Sequence, residues 1–254
     1  MGETWIGGSG DDYKKAEKTR PGFLRKKTWE SWYMQGNDGD DSLIGGEKGD
    51  ELFGNDGNDT LYGDPGYASS NDTLDGGAGN DYLDGRTGDD VFYGRSGNDY
   101  IDGVGGASLL LGGDGNDYLI GYSNSDLYGG DGDDILFAVS GGNELWGNSG
   151  KDVFEFNNAS FGTGTAINVI DLRRGEDKID LSSVDANTFL EGNQKLNFIG
   201  SAPFSDNFNV MGQVRYEPYK NLIQVNVPGE DEFLKFTIRS SVDFDSLSES
   251  DFIL

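Results

Sequence analysis

The sequence predicts an all-β protein. Residues 36–155 read as a parallel β-roll, residues 156–254 as a β-rich C-terminal cap, and residues 1–35 as a half-repeat with a capping insert. Three observations predict this fold. First, a nine-residue unit recurs thirteen times between Gly36 and Glu155, with a four-residue insertion (Tyr67 to Ser70) and a one-residue deletion before Leu127. Second, each unit opens with turn formers, as in Gly76-Gly77-Ala78-Gly79-Asn80-Asp81, and closes with a short strand, as in Tyr82-Leu83-Asp84. Third, the middle strand residue is never polar: Leu43, Leu52, Leu61, Leu74, Leu83, Phe92, Ile101, Leu110, Leu119, Leu127, Leu136, Leu145 and Phe154. A stacked coil needs such a stripe, because each repeat buries its one apolar side chain only against its neighbours.

The loops carry the chemistry. Glycine permits positive φ and leaves backbone carbonyls uncovered, while the sixth position supplies a carboxylate. Carbonyls and carboxylates from two stacked loops can together offer the roughly six to eight oxygens that a hard cation such as calcium takes. Two units should make one full turn, so odd and even loops stack in separate columns. The odd column (Gly36 to Asp41, Gly54 to Asp59, Gly76 to Asp81, Gly94 to Asp99, Gly112 to Asp117, Gly129 to Asp134 and Gly147 to Asp152) keeps glycine at positions one and four and aspartate at six. The even column decays. Lys48 stands at position four of its first loop, the insertion falls in the loop ending at Asn71-Asp72, and the loop Gly85 to Asp90 is sound. Ser108, Asp126 in a shortened loop, and Asn143 follow. The expectation is one full ladder of ions on the odd edge and a partial one on the even edge that fades toward the C-terminus.

The unit matches G-G-x-G-x-D-x-U-x, and so the chain resembles the RTX family. The resemblance implies a right-handed parallel β-roll that binds calcium (Ca2+). The candidate ligands begin with the position-six carboxylates Asp12, Asp41, Asp50, Asp59, Asp72, Asp81, Asp90, Asp99, Asp117, Asp134 and Asp152. The loop residues beside them are Gly54, Asn55, Asp56 and Gly57; Gly76, Gly77, Ala78 and Gly79; Gly94, Arg95, Ser96 and Gly97; Gly112, Gly113, Asp114 and Gly115; and Gly129, Gly130, Asp131 and Gly132.

Composition agrees with a metal-dependent fold. The chain has 254 residues, 42 of them glycine, a formal net charge of −27 and 34% apolar residues. Uncompensated carboxylates repel one another, and so little apolar material suggests a chain that orders only as the metal arrives. Because the aspartates fall on ligand positions, a generic acidic surface explains them less well. There is no cysteine, so no disulfide and no thiol site. No apolar run is long enough for a transmembrane helix. The segment Met1 to Gly8 lacks the charged start and apolar core of a signal peptide.

Before the repeats, Gly7 to Asp12 is a sound half-repeat. Lys14 to Lys27 then carries seven of the nineteen basic residues, with Trp29, Trp32, Tyr33 and Met34 after it. Pro21-Gly22 argues against one continuous helix. This insert reads as a cap, with Phe23, Leu24, Trp29 and Trp32 covering the first apolar layer. The alternative is a site for an anionic partner (a polysaccharide, a lipid headgroup or nucleic acid), carried by Arg25, Lys26 and Lys27. Along the roll, the outward position nine is more apolar on the even side (Phe53, Tyr93, Leu111, Tyr128, Trp146, with Asp75 among them) than on the odd side (Asp84, Asp102, Glu155). Either another part of the chain covers that face or it is an aromatic binding surface, and burial of Trp146 would separate the two.

From Phe156 the repeats stop. Strands are expected at Val169 to Leu172, Lys178 to Ser182, Lys195 to Ile199, Gln213 to Tyr216, Leu222 to Val227 and Phe233 to Ile238. A turn is expected at Arg173 to Asp177 and a short helix at Ser183 to Leu190. Lys151-Asp152-Val153-Phe154, Gly175-Glu176-Asp177-Lys178-Ile179-Asp180-Leu181-Ser182, Phe198-Ile199-Gly200, Gly212-Gln213-Val214-Arg215-Tyr216 and Asp251-Phe252-Ile253-Leu254 resemble the C-terminal region of serralysin-type secreted proteases. That resemblance implies export by a type I system, with the final acid and three apolar residues in an uncleaved signal; an ordinary final strand is the plainer reading of them.

No enzyme site is legible. With no histidine, neither the His-Glu-x-x-His zinc site of those proteases nor a Ser-His-Asp triad can form, and Gly-x-Ser-x-Gly is absent. The expected function is a non-enzymatic, calcium-binding, extracellular protein that threads a type I exporter unfolded and folds outside. Its expected partners are calcium and the secretion machinery, with an extracellular polysaccharide or surface next, and no nucleic acid. Two alternatives stand beside it: an adhesion protein, and the folding and export module of a larger protease, lipase or toxin.

Overall fold

The computed structural model describes residues 3–15, 31–64, 69–157, 167–185, 195–203, 212–217, 222–227, 234–240 and 247–254. Two sheets stack side by side, and the chain alternates between them. One contains Glu3–Ile6, Trp32–Asp38, Glu51–Asp56, Thr73–Ala78, Val91–Ser96, Leu109–Asp114, Asp126–Asp131, Glu144–Ser149 and Ile167–Val169 in that order. It continues through Leu234–Ser240, Leu222–Val227, Gln213–Glu217 and Asn197–Phe198. The other contains Tyr13–Lys15, Ser42–Ile44, Thr60–Tyr62, Tyr82–Asp84, Tyr100–Gly103, Tyr118–Gly121, Ile135–Ala138, Val153–Asn157, Lys178–Ser183 and Phe252–Ile253. Every pairing within the repeats is parallel, and each strand bonds to the one two units away, so two nonapeptides make a turn.

Register follows from the apolar stripe. Leu74 faces Phe92, Phe92 faces Leu110 and Leu110 faces Leu127 in one sheet, while Leu83, Ile101 and Leu119 align in the other. All thirteen inward residues have no exposed surface. A one-residue slip would turn the whole stripe outward, so burial pins the register.

The strands are unequal. In the first sheet most are six residues long, because each runs through positions seven to nine and on into the next loop; in the second sheet most have three or four. Parallel pairing also continues on both sides of residues 36–155. Glu3–Ile6 and Tyr13–Lys15 already pair in parallel with Trp32–Asp38 and Ser42–Ile44. At the far end, Ile167–Val169 and Lys178–Ser183 add one more turn without a repeat motif. The antiparallel hairpin Gln213–Glu217/Leu222–Val227 and the strand Leu234–Ser240 then extend the first sheet.

Trp5 and Trp32 pack against the core at the N-terminal end, and the Lys14 ammonium sits 5.5 Å from the Trp32 ring. Most of the basic insert, including Phe23, Leu24, Arg25, Lys26, Lys27 and Trp29, lies outside the described residues, as do residues 186–190 of the expected helix; Ser183 is strand.

The outer faces correct the expected contrast. Position seven also points outward, and in the second sheet it adds Tyr82, Tyr100 and Tyr118, stacked at 5.1 and 5.5 Å, with Tyr62 at 5.8 Å from Tyr82. The odd side is therefore no less apolar than the even side. Trp146 is half-buried, with Tyr128 stacked on its ring at 4.2 Å. Among the described residues, the aromatic partner of its ring is this neighbour in its own sheet.

Candidate metal centre

The position-six aspartates form a continuous ladder down the odd edge and a shorter one, Asp50 to Asp72 to Asp90, on the even edge. On the odd edge, the backbone N–H of Asp41 donates to Asp59 Oδ1 (2.7 Å), Asp59 to Asp81, Asp81 to Asp99, Asp99 to Asp117, Asp117 to Asp134 and Asp134 to Asp152 (3.1 Å). One carboxylate oxygen per residue is thus used to tie one turn to the next. The other is not. Oδ2 of Asp41, Asp59, Asp81, Asp99, Asp117 and Asp134 is buried without a hydrogen-bond partner, and so is Oδ2 of Asp72 and Asp90 on the even edge. A buried carboxylate oxygen with no donor is costly. Burial accordingly pushes these acids up, aided by neighbouring carboxylates and opposed by the ladder hydrogen bonds. Asp81 and Asp117 reach about 6, Asp59, Asp90 and Asp99 about 7, and Asp72 and Asp134 about 8.

The glycines beside these oxygens define an empty cradle. A Cβ on Gly54 would meet Asp59 Oδ2 and lie 2.5 Å from the Gly76 carbonyl oxygen; on Gly94 it would meet Asp99 Oδ2 and the Gly112 carbonyl; on Gly112, Asp117 Oδ2 and the Gly129 carbonyl. Position-one glycines do not have left-handed φ, contrary to the expectation for the whole loop, so glycine is required there for room. Left-handed backbone sits at positions two and four. Asn55 (φ 78°) and Arg95 (φ 80°) tolerate it, and Gly79 and Gly97 carry it at position four. A space lined by a buried carboxylate oxygen and by carbonyl oxygens of the next loop suits a hard dication. No group of three acidic side chains surrounds a point among the described residues, so backbone oxygens must complete any shell.

The other candidate residues fall into two sets. The carbonyls of Asp56, Ala78, Ser96, Asp114 and Asp131 accept the position-four N–H of the preceding loop at 2.7–2.8 Å, which leaves each one lone pair. The side chains of Asp56, Asp114 and Asp131 are exposed, and that of Arg95 pairs with Asp75 at 2.7 Å over the Tyr93 ring. Asp12, Asp50 and Asp152 differ from the ladder interior. Asp12 Oδ2 accepts the Gly8 N–H (2.7 Å), and Asp50 Oδ2 accepts that of Gly46, because each folds back on its own loop.

Asp152 Oδ2 is met by the Arg173 guanidinium at 3.3 Å, and the same Nη2 donates to the Gly150 carbonyl at 2.8 Å. The loop holding Arg173 supplies a further rung, with the Asp152 N–H donating to Asp177 Oδ1 at 3.1 Å. A side-chain cation thus stands at the end of the odd ladder.

On the even edge the expected Asp126 is not the rung. Asp126 pairs with Leu109 at position seven and faces outward; Ser125 takes position six, because strand register places the deletion earlier in the loop. The rungs run Asp90 N–H to Ser108 Oγ (3.2 Å), Ser108 to Ser125 Oγ (3.1 Å) and Ser125 to Asn143 Oδ1 (2.8 Å). From Ser108 to Asn143 the rungs of this edge are neutral side chains.

A second, exposed ladder went unread in the sequence. At position five, Asn58 donates its N–H to Asp40 Oδ1, Asn80 to Asn58, Asn98 to Asn80, Asn116 to Asn98, Asp133 to Asn116 and Lys151 to Asp133, at 2.7–2.9 Å. The Asn or Asp at position five of the first six odd loops, Asp40 to Asp133, was its signal.

Comparison with known families accords with this geometry. The RTX calcium-binding nonapeptide repeat matches in four copies, at residues 35–67, 68–101, 93–127 and 128–158. This is an RTX β-roll protein. RTX repeats bind calcium ions, and the proteins that carry them are typically secreted. The RTX roll is a structural calcium-binding domain. Among curated proteins no match to the chain is found. Among the described residues no helix is long and apolar enough to cross a membrane.

Proposed function

We propose that this RTX chain is a non-enzymatic protein that crosses the envelope unfolded through a type I exporter and is folded outside by calcium. The observation that carries the proposal is the column of buried Oδ2 atoms without donors: a chain with this ladder folds poorly until cations neutralise it. Cytosolic calcium is scarce, so the carboxylates repel and the chain stays threadable. Outside, sites with dissociation constants on the order of 10⁻⁴–10⁻³ M fill. The ligands in this reading are Asp41, Asp59, Asp81, Asp99, Asp117 and Asp134 on one edge and Asp72 and Asp90 on the other, with loop carbonyls.

The serralysin-like C-terminus supports the export half of the reading. Asp251 and Phe252 are buried in the folded form, and Phe252–Ile253 pairs with Ile179 and Asp180, so a signal in these residues would be read before folding. Circular dichroism during a calcium titration, with EDTA reversal, tests folding; an equally ordered, equally heat-resistant chain after chelation would refute it. Deleting Asp251 to Leu254 in cells carrying a type I exporter tests export, and unchanged secretion would refute that half.

A further inference from the structure

The even edge carries one buried acid that the repeat does not account for. Asp64 follows Gly63 at position two of the loop that holds the insertion. Position two is exposed or half-buried in the other loops of the roll, yet Asp64 is 1% exposed. Its Oδ1 accepts the Ser70 hydroxyl at 2.9 Å, and its Oδ2 is buried with no partner, like the Oδ2 atoms of the ladder. Its surroundings are acidic. The charges of Asp50 and Glu47 act on Asp64, and the charge of Asp64 acts on both Asp72 and Asp90. Adjacent to it, a Cβ on Gly63 would meet Asp72 Oδ2 and lie 2.9 Å from the Gly85 carbonyl oxygen, so the same oxygen-lined cradle exists here. Among the described residues no basic side chain hydrogen-bonds either oxygen of Asp64, and two unpartnered buried carboxylates on one edge need protons or a cation to offset them.

We propose that Asp64 is a second carboxylate ligand, with Asp72, for one divalent cation on the even edge. This edge would then hold a site with more negative charge than the single-carboxylate sites of the odd edge. The inference rests on the calcium-ladder reading, and its test separates the two. Bound calcium is counted by native mass spectrometry, and stepwise affinities come from calorimetry, on the full chain and on Asp64→Asn, Asp64→Ser and the odd-edge control Asp117→Asn. The expected result is that each Asp64 variant loses one ion, or shows one step weakened at least tenfold, while gaining heat resistance in EDTA because an uncompensated buried charge is gone. Asp117→Asn should lose a different, single ion. If Asp117→Asn loses an ion and both Asp64 variants keep the full count with unchanged affinities, the Asp64 site is overturned and the ladder stands. If none of the variants changes the count, the ladder reading itself fails.

Discussion

Gly94→Ala separates room for a cation from freedom of the backbone. Gly94 has no left-handed φ, so alanine carries no conformational penalty there; the penalty is spatial. The new Cβ would lie 2.5 Å from the Gly112 carbonyl oxygen and closer still to Asp99 Oδ2, in the space assigned to the ion between those two loops. One ion should be lost. A site with a dissociation constant on the order of 10⁻⁴–10⁻³ M, held at ~10 mM calcium, stabilises the fold by about 1.4–2.7 kcal/mol. For a domain of this size, that corresponds to a melting temperature lower by roughly 3–10 °C. Scanning calorimetry at that calcium level and in EDTA, with ion counting, measures both. The difference between variant and parent should be larger with calcium than without. Gly97→Ala is the contrast: Gly97 has φ 131°, and its Cβ would strike the Gly79 carbonyl, so its loss should be similar in both buffers. A Gly94→Ala protein with the full ion count and an unchanged calcium midpoint would refute the cradle.

The chelated protein should become less stable as pH rises. The ladder acids are raised from 3.8 to between about 6 and 8, so the calcium-free fold keeps their contribution below about pH 4 and loses it as pH climbs through 6 to 8; helicity-independent probes such as tryptophan fluorescence in EDTA across that window check it, and a flat profile contradicts it. Arg173→Gln removes the guanidinium from the fully buried Asp152 carboxylate, at a cost of about 1–3 kcal/mol after allowing for the partial exposure of the arginine, and chemical denaturation should find a similar drop with and without calcium. Asn98→Ala deletes the acceptor of the Asn116 N–H (2.7 Å) in the exposed ladder; it should cost about 0.5–1.5 kcal/mol and leave the ion count intact.

The legible part of this fold is what repeats. The stripe from Leu43 to Phe154 could be read because each turn offers one inward position, and the aspartates from Asp41 to Asp152 because one residue type returns every second unit. Reading failed where a different residue does the same physical work. Ser125 was passed over for Asp126 because an acid was sought, whereas strand register, set by the burial of Leu127, decides which residue faces the rung. Arg173 was read only as part of a turn, since a guanidinium that meets the last carboxylate of the ladder leaves no Gly-Asp signature. The first and last turns of the coil were read only in part: the half-repeat at Gly7 to Asp12 and the strand at Lys178 to Ser182 were legible, whereas Glu3–Ile6 and Ile167–Val169 keep the parallel pairing but not the motif. The position-one glycines show the converse error. Their residue type was seen, but composition cannot tell a glycine needed for its φ from one needed for its missing Cβ. That distinction appears only when the next turn is stacked beneath it, with Asp99 Oδ2 and the Gly112 carbonyl converging on the space that Gly94 leaves open.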